Sequence, residues 1–217
     1  LDHSNQFVHV AVTFNGSEGH IYVNGVLEAS SSYSYGGQFL LAAYSPNGVP
    51  WVSLGSRQVY FIGARNNEWT LEASVKPVEL NRPQTIVGED GKPTDAPQAP
   101  LQLKLRKDNH IAIVAIDSTG KVRSVASRNP VKVGSWQHVA AMSNGKKLFL
   151  YLVKDEKYEL QGEAEFIGKL INHPGTWTIG RGFHNGKIAQ DARAHIDEVR
   201  VSSIALPINL LLWTNEL

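Results

Sequence analysis

The sequence predicts an all-β chain, folded as an antiparallel β-sandwich, on three observations. Apolar residues recur in short runs with the two-residue period of strands, and almost no segment carries the longer period of a helix. Turn-forming pairs stand between the runs, at Asn15-Gly16, Asn24-Gly25, Asn47-Gly48, Asp90-Gly91, Asn144-Gly145 and Asn185-Gly186. Asn and Asp tolerate left-handed backbone and Gly accepts it at little cost, so these are hairpin signals. Finally, VHVAVTFNGSEGHIYVNG at 8–25 has a degenerate second copy, WQHVAAMSNGKKLFLYLVKD, at 136–155. His9 with His138, Gly16 with Gly145 and Tyr22 with Tyr151 share one offset, 138−9 = 145−16 = 151−22 = 129. A strand-turn-strand unit is used twice, or the chain opens partway through one copy.

Taken in order, the candidate strands run over 9–14 and 20–23, which Asn15-Gly16 joins, and then 58–62, an apolar run ending in VYFIG. Next come 69–75, 101–105, 110–116 and 121–125, each bounded by polar or turn residues. Asn144-Gly145 joins 136–142 to 147–153, and 176–179 and 194–201 close the set. So many short strands bury their apolar faces only against a second sheet. Asn66-Asn67-Glu68 separates VYFIG from WTLEASVKP, which predicts a domain over 68–217. Residues 1–67 then form a partial β segment, or strands that complete the sandwich, or a half-domain requiring a partner chain or a missing N-terminal region. Residues 33–50 and 89–100, rich in Ser, Tyr, Gly and Pro or in polar residues and Pro, read as excursions from the sheets.

Composition narrows the function classes. The chain has 217 residues, 42% hydrophobic, with 21 Lys and Arg against 20 Asp and Glu, and it lacks any basic run that would track phosphates. Nucleic acid is therefore not an expected partner. The most apolar short run, at 204–213, is broken by Pro207 and Asn209, so membrane insertion is not expected either. Without cysteine there are no disulfides or thiolate metal sites.

The phrases WTLEASVKP, TIVG, WQHVAAMSNGKKLFLYL, WTIGRG and AHIDEVRVSSIALP, in this order over 68–207, resemble the laminin-G-like, concanavalin A-like lectin and glucanase superfamily. That resemblance implies an antiparallel jelly-roll β-sandwich. The opening strand would be 69–77, the W-x-H-V-A strand 136–140 and the late I-D-E-V-R strand 196–200. The segments at 8–30 and YFIGARN look like middle and late strands of another copy, with Phe7 near the position of Trp136. The scaffold's uses include glycan binding, protein adhesion, calcium-supported recognition and, in some relatives, polysaccharide hydrolysis or lysis.

Hydrolysis needs two carboxylates facing one bond at roughly 5 to 10 Å. The alternating E-x-D-x-E set of related glucanases is missing, and Asp197 and Glu198, being adjacent, should face opposite ways as structural carboxylates bonding loop amides or Arg200. Glu72, Glu79, Glu163 and Glu165 remain as pairs that folding could bring together. A lyase's base and its partners have no diagnostic local pattern among the histidines and tyrosines, and His9 and His138 read as packing residues whose imidazoles bond backbone. Calcium would need converging oxygen ligands, for which Asp90, Asp95, Asp191 and Asp197 are the candidates, beside turns of a fold whose relatives bind calcium. Glycan recognition needs flat aromatic platforms ringed by polar groups. Tyr33, Tyr35, Tyr44, Trp51, Phe183 and His184 stand in expected loops and are the candidate ligand-binding residues, whereas Trp69, Trp136 and Trp177 read as core and Trp213 as a tail anchor. The expectation is a noncatalytic recognition module, extracellular, cell-surface or periplasmic, taking a glycan. A structural or adhesion module binding protein comes second and a polysaccharide-processing enzyme third.

Overall fold

A computed structural model of the chain describes residues 10–14, 18–23, 26–32, 52–54, 67–90, 99–171, 177–185, 187–202 and 204–213. Among the described residues, four strands precede residue 68: β1 (Val10–Phe14), β2 (Glu18–Val23), β3 (Val26–Ser32) and β4 (Val52–Leu54). Then come β5 (Glu68–Pro77), β6 (Gln84–Glu89), β7 (Leu101–Leu105), β8 (Ile111–Ile116) and β9 (Val122–Ala126). A second meander follows as β10 (Gln137–Asn144), β11 (Lys147–Lys154) and β12 (Lys157–Glu165). The last strands are β13 (Trp177–Ile179), β14 (Gly182–His184), β15 (Lys187–Ala189) and β16 (Ala194–Ser202), before a single 3-10 turn at Ile208–Leu210. The fold is all-β, and its two main sheets form a sandwich of the concanavalin A-like jelly-roll type.

One sheet has the order β12-β11-β10-β5-β16 and the other β4-β13-β6-β7-β8-β9; every pairing is antiparallel. The alternation in β5 explains the layering. Trp69, Leu71, Ala73 and Val75 enter the core between the sheets, where Trp69 meets Phe166 edge to face at 6.3 Å. Thr70, Glu72 and Ser74 point the other way, yet they are also buried. Leu101, Leu103 and Leu105 of β7, Ile111 and Ile113 of β8, and Leu148 and Leu150 of β11 fill the same core. Each such side chain removed from water contributes about 1.5–3 kcal/mol.

The sequence repeat is a repeat of register. β1 pairs β2 with Val10 opposite Val23 and Phe14 opposite Gly19; adding 129 gives Val139 opposite Leu152 and Ser143 opposite Leu148, the register of β10 with β11. The third strand repeats too. β2 and β3 slip between Ile21 and Tyr22, and β11 and β12 slip between Leu150 and Tyr151, again 129 apart. The Asn-Gly pairs at 15–16, 24–25, 144–145 and 185–186 all fall between paired strands. At Gly145 the backbone is left-handed (φ 79°) and a Cβ would press on Asn67, so both conformation and space demand glycine.

β4 lies upstream of residue 68 and pairs with β13, so the six-stranded sheet draws a strand from the first segment. Two differences from the sequence reading have physical causes. β3, β4, β6, β12, β14 and β15 escape detection by apolar alternation because they are short, polar or covered on both faces. In β16 an extra residue between Asp197 and Arg200 forms a bulge, with Glu198 at φ 51°. The bulge turns Val199 to the core and Arg200 outward, where it pairs with Glu72 instead of Asp197 or Glu198. The expected strand at 58–62 lies outside the described residues.

Candidate functional site

The sandwich has two outer faces, and the chain treats them differently. On the five-stranded sheet, residues 204–213 form a strap across the outer face. Alternate residues of β5 fasten it in sequence. Thr70 Oγ1 donates to the Ile204 carbonyl at 2.8 Å and accepts from the Leu206 amide at 2.9 Å. Glu72 accepts from the Leu212 amide at 2.7 Å and from Arg200 Nε at 2.6 Å, while Arg200 also donates to the Leu210 carbonyl. Ser74 Oγ accepts from the Trp213 indole at 3.0 Å. Beneath the strap, Ala140, Met142, Leu206 and Leu211 form a second apolar cluster with Phe149, Tyr151 and Tyr158. Burial pushes the Glu72 carboxyl above its ordinary range against the pull of the Leu212 amide and Arg200, and pushes the Tyr158 phenol up.

The strap ends in an aromatic stack. His138 lies 3.7 Å from Trp213 and 6.5 Å from Trp136, centroid to centroid, and Lys76 Nζ sits 5.1 Å from the Trp136 ring. Trp136, expected in the core, is 38% exposed because it precedes β10 at the end of the sheet; Trp69 and Trp177 are buried as expected. The His138 imidazole meets a side chain, Ser74 Oγ, at 2.7 Å, in place of the expected backbone partner, and burial lowers its pKa. Glu198 Oε2 lies 3.2 Å from the same hydroxyl. Ser, His and Glu are thus together, but not as a nucleophilic relay. That relay needs the carboxylate on the far nitrogen of the imidazole and an accessible hydroxyl. Here the carboxylate contacts the serine, and Ser74 is buried under Trp213.

No strap of this kind is fastened to the outer face of the six-stranded sheet among the described residues. Register sets Ser53, Thr178, Gly88, Gln102, Val114 and Ser124 in one row, and Thr85, Lys104, Ala112 and Ala126 in the next. The β14–β15 hairpin seats against the β6 end. A Cβ on Gly182 would collide with Thr85 Oγ1, so the approach requires glycine. Gln102 Nε2 donates to the Phe183 carbonyl at 3.0 Å, and Lys104 Nζ donates to Gln190 Oε1 at 2.8 Å and Gln102 Oε1 at 3.5 Å. Toward β8 and β9 the face opens, with Val114, Lys104 and Ala126 half-buried and Ser124 and Val122 exposed. Polar amides and an ammonium beside small apolar side chains can hydrogen-bond a ligand's hydroxyls and pack its CH groups.

Among the sequence-selected residues, Tyr33, Tyr35, Tyr44, Trp51 and Asp95 lie outside the described residues. Phe183 differs from an exposed platform: its ring is buried at the base of the hairpin, whereas His184 beside it is exposed. Asp90 is buried against Arg181 at 2.6 Å, Asp191 meets Arg82 and Arg193, and Asp197 accepts the Glu198 amide. Asp90 and Asp191 thus have arginine partners and Asp197 a backbone amide, and among the described residues no three His, Asp or Glu converge as a metal cradle. The carboxylates considered for hydrolysis are each paired with a cation. Glu72 pairs with Arg200, Glu79 with Arg82 and Arg193, Glu163 with Lys147 and Glu165 with Arg123. No described helix is long and apolar enough to cross a membrane. Gln102, Lys104 and Gln190 were not selected from the sequence; only the L-Q-L-K-L alternation of β7 signals that the first two share an outer face.

Known proteins resemble this arrangement in fold. A NanB sialidase variant from Streptococcus pneumoniae superimposes at TM-score 0.62 with 15% identity, over 80% of this chain and 28% of that one. The CBM40 domain of the Ruminococcus gnavus IT-sialidase, bound to α2,3-sialyllactose, gives 0.54 and 15% over 65% and 78%. The binding domain of Paraclostridial Mosquitocidal Protein 1 gives 0.56 and 10% over 92% and 44%. No curated protein matches the chain in sequence. At these identities the likeness is one of fold. A family model, described as the concanavalin A-like lectin/glucanases superfamily, matches residues 2–64 and again 46–208, two passes that parallel the two meanders. By that match and by its paired sheets, the chain belongs to the concanavalin A-like lectin/glucanases superfamily.

Proposed function

We propose that the chain is a noncatalytic recognition module, working in an extracellular, cell-surface or periplasmic setting, that binds glycans across the outer face of the six-stranded sheet. One observation carries this reading: the β4–β13 pairing brings β4, which directly follows Trp51 in sequence, next to the strand that leads into the Phe183–His184 hairpin. Val52, the residue after Trp51, pairs with Ile179, three residues before the Gly182 that opens the Phe183–His184 hairpin. Tyr33, Tyr35, Tyr44 and Trp51 supply the aromatic platform in this proposal, with His184 at the rim and Gln102, Lys104 and Gln190 as hydrogen-bonding groups. The sialyllactose-bound CBM40 domain lends support as a relative in fold that takes a sugar.

The test is a glycan array probed with the folded chain, with calcium and after chelation, followed by Gln190→Asn, Trp51→Ala and Trp136→Ala. Asn at 190 keeps a residue tolerant of the observed φ of 59° while withdrawing the amide from Lys104. Binding to one glycan class, weakened by Gln190→Asn and Trp51→Ala and kept by Trp136→Ala, is the expected result. A folded, calcium-loaded chain that binds no glycan overturns the proposal.

A second reading, docking of a protein, draws on the exposed apolar side chains around the strap: Trp136, Ile208, Leu210, Leu212 and Trp213. Under that reading Trp136→Ala abolishes partner binding and Gln190→Asn does not.

A further inference from the structure

We infer that Lys104 selects for an acidic sugar, pairing its ammonium with an anionic group on the ligand; the inference rests on the glycan reading above. The described arginines supply the contrast. Six of the seven, Arg82, Arg106, Arg123, Arg181, Arg193 and Arg200, meet a carboxylate, and the seventh, Arg128, is exposed to water and donates to the Gln161 carbonyl. Lys104 is half-buried in the middle of a sheet, yet its partners are the neutral amide oxygens of Gln190 and Gln102. No carboxylate among the described residues forms an ion pair with it. A partly desolvated ammonium is stabilised by an opposite charge, and amide dipoles replace that charge only in part.

The geometry also directs where the anion docks. An ammonium carries three N–H donors, and the two glutamines take two. The β6 side of Lys104 is occupied by the seated hairpin, whose Gln190 holds the Thr85 amide with its carbonyl. On the β8 side the neighbours are Ala112 and Ala126, too small to reach over the ammonium, and the exposed Ser124 lies one row away. Among the described residues no further hydrogen bond engages the third N–H, which is left for an arriving anion. Burial, with Arg106 acting in the same direction, lowers the Lys104 pKa, and an arriving anion opposes both effects.

The test compares matched probes on the full chain by calorimetry: lactose against 3′-sialyllactose, a glucuronate-terminated disaccharide against its methyl ester, and a sulfated disaccharide against its unsulfated parent. In the unmodified chain at least one acidic member should bind about tenfold or more tightly than its neutral partner, with the advantage shrinking as salt is raised. Lys104→Met should bring acidic and neutral members level, and Lys104→Arg should restore the preference. The carboxylate and sulfate pairs separate the two sources of the charge. If a neutral member binds and no acidic partner binds better, or if the preference survives Lys104→Met, this inference fails while the glycan reading stands. If none of these sugars and no glycan on the array binds the folded chain, both fail together.

Discussion

The two outer faces of the sandwich use the same device, alternate polar residues on a central strand, to opposite ends. On the five-stranded sheet Thr70, Glu72 and Ser74 of β5 turn their hydrogen bonds to the chain's own strap, and the face is closed. On the six-stranded sheet Gln102 and Lys104 of β7 hold the base of a hairpin, and toward β8 and β9 Val114 and Ala126 stay half-buried and Ser124 exposed. Charge marks the difference. On the strapped face Arg200 has Glu72, whereas on the other face Lys104 has amide oxygens. Under the proposed function, a buried charge partnered within the chain belongs to a face finished by folding, and a half-buried charge without a counterion to one finished by a ligand.

The largest predicted effect breaks the closed face. Glu72→Ala leaves Arg200 without its buried partner and unfastens Leu212, and the chain should lose about 3–5 kcal/mol in denaturant unfolding. The same change should leave ligand affinity of the surviving folded fraction intact. On the open face, Gly182→Ala drives a methyl group into Thr85 and should lift the β14–β15 hairpin. Its stability loss should be about 1–3 kcal/mol, read by the same unfolding curve, with glycan affinity falling because Gln190 withdraws from Lys104. A smaller effect follows Trp213→Ala, which removes one member of the aromatic stack and should cost about 1 kcal/mol with no change in glycan binding.

Acid should sharpen the contrast between the faces. The His138 pKa is lowered by burial, so the unfolded chain takes up the proton first and stability falls as pH drops below about 6.5 toward the folded value. The strap end should loosen in that window, seen as a change in Trp213 emission. Asp117, in the turn between β8 and β9, behaves differently. Desolvation would raise its pKa, but hydrogen bonds from Thr119, Arg123 and Lys121 outweigh it and hold the value at about 2. Its contribution is complete above about pH 4 and is lost only as pH falls from there toward 2. Amide exchange across a pH series should therefore show 204–213 opening before 116–123, and the reverse order would contradict this assignment.

How much of this was legible in the sequence varied with distance along the chain. The strand-turn-strand repeat was readable because hairpin neighbours lie close in sequence, whereas the slips at Ile21 and Leu150 were not, since they fall in pairings with β3 and β12, which apolar alternation misses. An aromatic opening a strand is ordinarily buried, which is why Trp136 reads as core; it precedes β10 at the end of the sheet and is exposed there. The Glu72–Arg200 pair was hidden by the bulge, which reverses the alternation that would have turned Arg200 inward. β7 displayed Gln102 and Lys104 on one face by simple alternation, but Gln190 comes from 86 residues beyond Lys104, and nothing local announces that meeting.

Amide hydrogen exchange of the whole chain, with and without the tightest sugar found on the array, separates the two faces most directly. Protection should rise in β7 to β9 and in 182–190 and remain unchanged in 204–213. Protection confined to 136–138 and 204–213 would make the strapped face the recognition surface and contradict the assignment of the open one.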